Sequence, residues 1–388
     1  MENCTSTITY AVHDEMKSFM EVFATSIASL IYCYFISFNI SKGKTRLISL
    51  IPVIILFTLL PLKLNTITLI GTIGSFHLIT IMKLVLFAFG HQPLQSNPPM
   101  PLTLFICIAY LPIKISHKNT TTTTTTTTTK LNLENQEDPS KIESENEVNS
   151  TNQLHPFLNL IQKTIFQALL WILYKFTQHM QPKFMLAYYC FYVYISAELL
   201  MATVSVLAWA LLGLALEPHF NKPYMATSLQ DFWGRRWNLM ASNALRSLVY
   251  EPLKRWVSRS EIGAMFPRII AVMGTFVVSG LVHEIALYYH ARTRPSWEMT
   301  GFFVLQGLVV IVEIVVKKVL LMKGIAWRMN RVVSRVLVVG FVMLSAMSLF
   351  FPPVLKCNAV VSLEREIGAM VEPLKCSLIM LISFVNGK

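Results

Sequence analysis

The chain has 388 residues, of which 54% are hydrophobic and only 14% charged, and its formal net charge is +12. Soluble globular domains carry roughly 25% charged residues, so this composition, with a mean hydropathy of +0.52, excludes an ordinary soluble protein. The basic residues sit in loops between apolar runs, which fits positive-inside loops of a membrane protein better than a nucleic-acid surface.

Taken in chain order, the apolar runs predict spans at Phe19–Phe38, Leu47–Leu62 and Ile67–Phe89, then at Phe157–Phe176 and Phe184–Leu216, and finally at Ile269–Tyr289, Gly301–Leu321 and Val336–Val354. A crossing needs about 20 apolar residues, and backbone in lipid must satisfy its own hydrogen bonds, which favours helices over open sheet. The expected fold is therefore all-α and polytopic, with about eight transmembrane helices. Leu102–Ile113 and Leu378–Val385 are shorter and fit interfacial or re-entrant segments. Asp14, Glu15 and Glu21 precede or open the first run, where a cleavable signal would carry positive charge; the run reads as a signal anchor. Lys42, Lys44 and Arg46 follow it, which places that end in the cytoplasm.

In the loop 216–267, Lys222, Arg235, Arg236, Arg246, Lys254, Arg255 and Arg259 outweigh Glu217, Asp231, Glu251 and Glu261. Lys323, Arg328, Arg331 and Arg335 mark another basic loop. Both are cytoplasmic, with luminal termini, if Leu102–Ile113 does not span. Between the third and fourth spans lies an uninterrupted threonine tract, Thr120–Thr129, followed by an acidic, polar piece. It lacks the apolar content for a core and reads as a flexible linker. The expected organisation is N-terminal membrane helices over 1–116, this linker over 117–155, and a C-terminal membrane region over 156–388. The glycan-acceptor patterns Asn119-Thr120-Thr121 and Asn149-Ser150-Thr151 fall in cytoplasmic segments of this topology. The six cysteines form no metal-ligand spacing; no metal is expected. Cys33 and Cys190 lie within spans as small apolar fillers.

Two polar motifs stand out, both in the C-terminal region. The first is Leu229-Gln230-Asp231-Phe232-Trp233-Gly234-Arg235-Arg236-Trp237-Asn238-Leu239-Met240. On one helix Asp231, Arg235 and Asn238 fall at i, i+4 and i+7 and share a face that Ser242 extends. An interfacial helix with an aromatic belt and an Asp231–Arg235 pair explains Trp233 and Trp237, but explains Asn238 poorly. The second motif is Ser279-Gly280-Leu281-Val282-His283-Glu284, inside an apolar run. Ser279, His283 and His290 can project from one side of its helix. An imidazole beside a carboxylate at membrane depth marks a functional site by default, for transport or for chemistry. The other charges within the spans, Lys83, Glu198, Glu313, Lys317 and Lys318, form no evident relay series.

The stretches LQDFWGRRWNLMASNALRSLVYEPL (229–253) and SGLVHEIALYYHARTRPSWEMTGFFVLQG (279–307) closely resemble the plant wax synthase family of long-chain-alcohol O-fatty-acyltransferases, a branch of the membrane-bound O-acyltransferase superfamily. The resemblance is strong over about 185–310. In the N-terminal half, LITIMKLVLFAFGHQPL (78–94) matches best. It implies an acyltransferase of the endoplasmic reticulum membrane that esterifies a long-chain alcohol, or in one branch a sterol, with acyl-CoA as co-substrate. It implies His283 as the intramembrane histidine and Asn238 as its upstream asparagine. Asp231, Trp233, Arg235, Arg236, Trp237, Ser279 and Glu284 are the residues expected around the substrates, with Glu284 turned from the chamber into an interhelical hydrogen bond. Gln306 departs from the histidine expected there in many relatives, and the threonine tract resembles an insertion.

The residues support the same chemistry. Ester formation from an alcohol and a thioester needs one proton removed from the attacking hydroxyl, and a neutral imidazole is a suitable base near pH 7. Thiolate leaves readily, so no acyl-enzyme is required, and the chain has no G-x-S-x-G elbow. Asn238 can orient His283 or donate to the developing oxyanion. Arg235, Arg236 and Arg246 can meet the phosphates of CoA. A sterol acceptor, a proton-coupled transporter and a membrane scaffold are the rival readings. No internal repeat supports the transporter, and oligomeric state is not readable.

Overall fold

A computed structural model of the chain describes residues 2–96, 100–113, 158–174, 181–213, 216–259, 263, 265–325 and 329–356. The 117–155 linker and Leu378–Val385 lie outside the described residues. The chain forms two compact units, one of Met1–Pro112 with Lys222–Lys388 and one of Ile113–Asn221.

The larger unit begins with helices α1 (Glu2–Asn39), α2 (Lys44–Leu59), α3 (Ile67–Ala88) and the short α4 (Leu102–Tyr110). The smaller unit holds the helix α5 over 158–174 and α6 (Pro182–Leu212). The larger unit resumes with three short helices, α7 (Leu229–Arg235), α8 (Leu239–Leu245) and α9 (Glu251–Val257). It continues with α10 (Phe266–Ala291), α11 (Glu298–Met322), α12 (Arg331–Ser345) and α13 (Phe351–Lys356). One π-helical turn, Arg246–Tyr250, joins α8 to α9, and another, Ala346–Phe350, joins α12 to α13.

Among the described residues, seven helical stretches are long and apolar enough to cross a bilayer: Asp14–Ile36, Lys44–Lys63, Leu69–Ala88, Phe184–Leu211, Phe266–Ala291, Glu298–Met322 and Arg331–Lys356. The remaining expected span, Phe157–Phe176, is helical over 158–174. The protein is thus an all-α, multi-span membrane protein of about eight spans. Its outer surface agrees: Ile48, Ile55 and Leu59 on α2, and Val332, Val336 and Leu337 on α12, are exposed apolar residues that suit lipid and not water. Gly213, in the left-handed region at φ 64°, ends α6 four residues short of the expected Leu216 boundary by supplying the conformation a helix C-terminus needs.

The helix α4 does not span, as its length requires. It packs against α1 and α3 with Phe105, Ile108, Ala109 and Tyr110 buried. A buried helix end must find donors for its last carbonyls, and α3 provides them. Lys83 Nζ donates to Ile108 O and Leu111 O, 2.6 Å each, and Thr80 Oγ1 donates to Ala109 O at 3.0 Å. Lys83, an unexplained intramembrane charge in the sequence, is therefore the C-terminal cap of a neighbouring helix.

Within the smaller unit, Lys163 pairs with Glu198 at 3.4 Å, and Tyr194 Oη donates to the same carboxylate at 2.8 Å. Tyr188 Oη donates to Leu170 O at 2.9 Å, tying α6 to α5.

The core of the larger unit is the hairpin of α10 and α11. Their close approach depends on Gly280, where a Cβ would come within 2.8 Å of the Thr300 Cα. Small residues at such a crossing let two backbones meet. At the other end of α10, Tyr289 is buried and donates to Thr58 O at 3.0 Å, and Arg292 donates to Leu62 O and Leu64 O at 3.1 and 3.0 Å. These bonds fasten the helix carrying His283 to the N-terminal helices.

Candidate active site

The first motif is not one helix. α7 starts at Ser228, whose Oγ accepts from Asp231 N at 3.0 Å. Glu313 on α11 accepts from Leu229 N at 2.9 Å and Gln230 N at 3.3 Å. A carboxylate beside the first amides of a helix completes their hydrogen bonds and meets the positive end of its dipole. α7 stops at Arg235, and Asn238 adopts φ 40°, ψ 66° before α8 begins. Asparagine visits this left-handed region more readily than most residues. It is also a good helix N-cap: Asn238 Oδ1 accepts from Ala241 N at 3.2 Å.

The single helical face expected for Asp231, Arg235, Asn238 and Ser242 is therefore broken at Asn238, because its side chain and backbone favour a new helix start. The expected Asp231–Arg235 pair is also replaced. Asp231 Oδ2 accepts from Arg236 Nε at 2.6 Å. Ser242 instead clamps the corner between α7 and α8 by donating to Trp233 O at 3.1 Å.

His283 sits in the second half of α10. Its Nδ1 lies 2.8 Å from Ser279 O. A carbonyl oxygen only accepts, so the proton of the neutral ring resides on Nδ1 and the Nε2 lone pair is available. The ring lies against Phe303, with centroids 4.4 Å apart, and Phe350 of the second π-helical turn approaches to 6.0 Å.

His283 and Asn238 line the same cavity, of about 460 Å³, a size within the range of ligand sites. Its polar lining also includes Ser242, Thr275 and Ser279, and its aromatic wall is built from Trp233, Trp237, Phe276 and Phe303. Arg235, Arg246 and Arg268 line it too. Arg246 and Tyr250 both come from the first π-helical turn, a distortion often found at functional sites.

Of the residues expected around the substrates, the cavity brings together Trp233, Arg235, Trp237 and Ser279 with Asn238 and His283. Asp231 and Arg236, occupied with each other, are not in its lining, and neither is Glu284. Glu284 is buried, and its Oε1 accepts from Thr300 N at 3.1 Å, in the first turn of α11. That is the interhelical bond expected for it, and it makes Glu284 a helix cap. His290 is not in the lining; its Nε2 lies against Gly71 of α3. Arg268 is the main lining residue that sequence reasoning missed. It stands in the first turn of α10, one residue past the loop counted to 267, and an arginine at the mouth of a span was the available signal.

A model of the membrane bound O-acyl transferase family matches residues 216–305, which hold every cavity residue named above. The chain is 37% identical to acyl-CoA–sterol O-acyltransferase 1 of Arabidopsis thaliana over 92% of this chain and 95% of that protein. It is 39% identical to the long-chain-alcohol O-fatty-acyltransferase of Simmondsia chinensis, over 89% and 92% respectively. With a probable long-chain-alcohol O-fatty-acyltransferase 1 of Arabidopsis thaliana it shares 38% over 92% and 96%. The chain belongs to the membrane-bound O-acyltransferases, in the wax synthase branch of long-chain-alcohol O-fatty-acyltransferases. It is an acyltransferase.

Proposed function

We propose that the protein transfers a fatty acyl group from acyl-CoA to the hydroxyl of a long-chain alcohol, forming a wax ester, in the membrane of the endoplasmic reticulum. The observation that carries this reading is the His283 Nδ1 bond to Ser279 O, which leaves Nε2 as a base in a cavity shared with Asn238. Nε2 takes the alcohol proton as the oxygen attacks the thioester carbonyl carbon. The tetrahedral intermediate collapses, the C–S bond breaks, and the departing thiolate recovers that proton, giving ester and free CoA. Asn238 spends its oxygen on the Ala241 cap, so its Nδ2 remains to donate to the carbonyl oxygen as negative charge grows there. The arginines of the lining offer charge for the phosphates of CoA: among the described residues Arg235 and Arg268 carry no ion pair, and Arg246 approaches Glu251 only at 3.5 Å.

A sterol acceptor is the second reading, favoured by the 37% identity to a sterol acyltransferase. Proton transport is disfavoured, because most of the intramembrane charges have local duties. Lys83 caps α4, Glu198 pairs with Lys163, Glu284 caps α11, and Glu313 caps α7 while pairing with Lys317.

Expression in a host without neutral-lipid synthesis, fed fatty alcohols or sterols separately, tests the proposal. Wax ester is the expected product, and His283→Ala should abolish it while the protein still inserts. Steryl ester alone would shift the acceptor. Full activity in the His283 variant would overturn the mechanism.

A further inference from the structure

We propose that Gln306 is a positioning residue that holds the Trp233 indole in the cavity wall and so sets how the apolar chain of the hydroxyl substrate fits; this rests on the acyl-transfer reading above. Gln306 is fully buried on α11 and does not line the cavity. Its two amide ends perform opposite tasks. Trp233 Nε1 donates to Gln306 Oε1 at 3.2 Å, and Gln306 Nε2 donates to Ser345 Oγ at 2.7 Å. Ser345 in turn donates to Phe341 O at 2.7 Å. The network fastens α7 through α11 to α12, and each member is both anchored and directional.

Trp233 is the member that reaches the cavity. Its ring stands edge-on to Phe276 at 6.0 Å and tilted to Phe303 at 5.9 Å, and Phe303 contacts His283 at 4.4 Å. Ser242 pins the Trp233 backbone, but only Gln306 pins the indole nitrogen among the described residues. A buried indole N–H without its acceptor must find another partner. The ring then turns toward the polar lining of the cavity, narrowing the wall beside His283. An aliphatic side chain at 306 offers no acceptor, whereas a carboxyl keeps one.

The experiment uses the full chain in membranes, with a series of alcohols of increasing length and a fixed acyl-CoA. Gln306→Leu should shift the chain-length profile and raise KM for the alcohol about tenfold, the equivalent of one hydrogen bond, with kcat falling less. Gln306→Glu should keep the wild-type profile. Trp233→Phe should reproduce the shift by itself, and adding Gln306→Leu to it should change the profile no further, as coupled residues require. A wild-type profile in Gln306→Leu or in Trp233→Phe overturns the proposal. So does an equal second shift when the two substitutions are combined. If Gln306→Leu does not accumulate, the Trp233→Phe and Gln306→Glu profiles still decide. A wild-type chain that makes no ester refutes the parent reading instead.

Discussion

Asn238 has one observed role and one proposed role, and substitution can separate them. Its oxygen caps α8 and its backbone sits at φ 40°; in the proposed mechanism its amide nitrogen donates to the substrate. In Asn238→Ala the cap is lost, at about 1 kcal/mol, and a Cβ residue without a compensating side chain must hold the left-handed conformation, at about 1–2 kcal/mol. Stability should therefore fall by about 2–3 kcal/mol, together with activity. Asn238→Asp keeps an oxygen for Ala241 N and tolerates the same backbone. Asn238→Gly keeps the backbone conformation at a small capping cost. Both remove the amide donor, so both should fold normally while kcat falls about 100- to 1,000-fold, the usual loss for one oxyanion donor. Initial rates per milligram of membrane-inserted enzyme, paired with thermal unfolding in detergent, read the two quantities separately. Wild-type kcat in the Asp and Gly variants together would refute the donor role. Unchanged stability in Asn238→Ala would refute the cap.

The remaining predictions concern the cavity mouth and the helix hairpin. Arg268→Ala should raise KM for acyl-CoA about tenfold, roughly one charge-assisted hydrogen bond, and should flatten its salt dependence; an unchanged KM measured across a salt series would remove Arg268 from the CoA site. Gly280→Ala places a Cβ within 2.8 Å of backbone on α11, so thermal unfolding should show a loss of about 1–3 kcal/mol from overpacking, and a wild-type melting curve would show that the crossing has slack.

The spans and the two motifs were legible because the bilayer restricts both. Apolar runs of membrane length have few folds available, and a histidine or asparagine among them is conspicuous by type. The distinction between Glu284 as a ligand and Glu284 as a cap was harder. It depends on Thr300, which reaches it only because α10 and α11 form a hairpin that closes at Gly280. Arg236 in place of Arg235 as the partner of Asp231 follows from the end of α7, a local break that helical spacing does not register.

Residue type and apolar length thus determined a multi-span helical membrane protein with His283 and Asn238 as its conspicuous pair, and the resemblance of the two motifs marked it as an acyltransferase. Tertiary structure alone decided what surrounds them. Packing joined α7, α11 and α12 through Gln306, turned Glu313, Glu284 and Lys83 into helix caps, and brought Arg268 to the cavity. The physical reason is that hydrogen bonds buried in lipid must be closed by whichever neighbour is near, and that neighbour is fixed by helix packing across long stretches of chain.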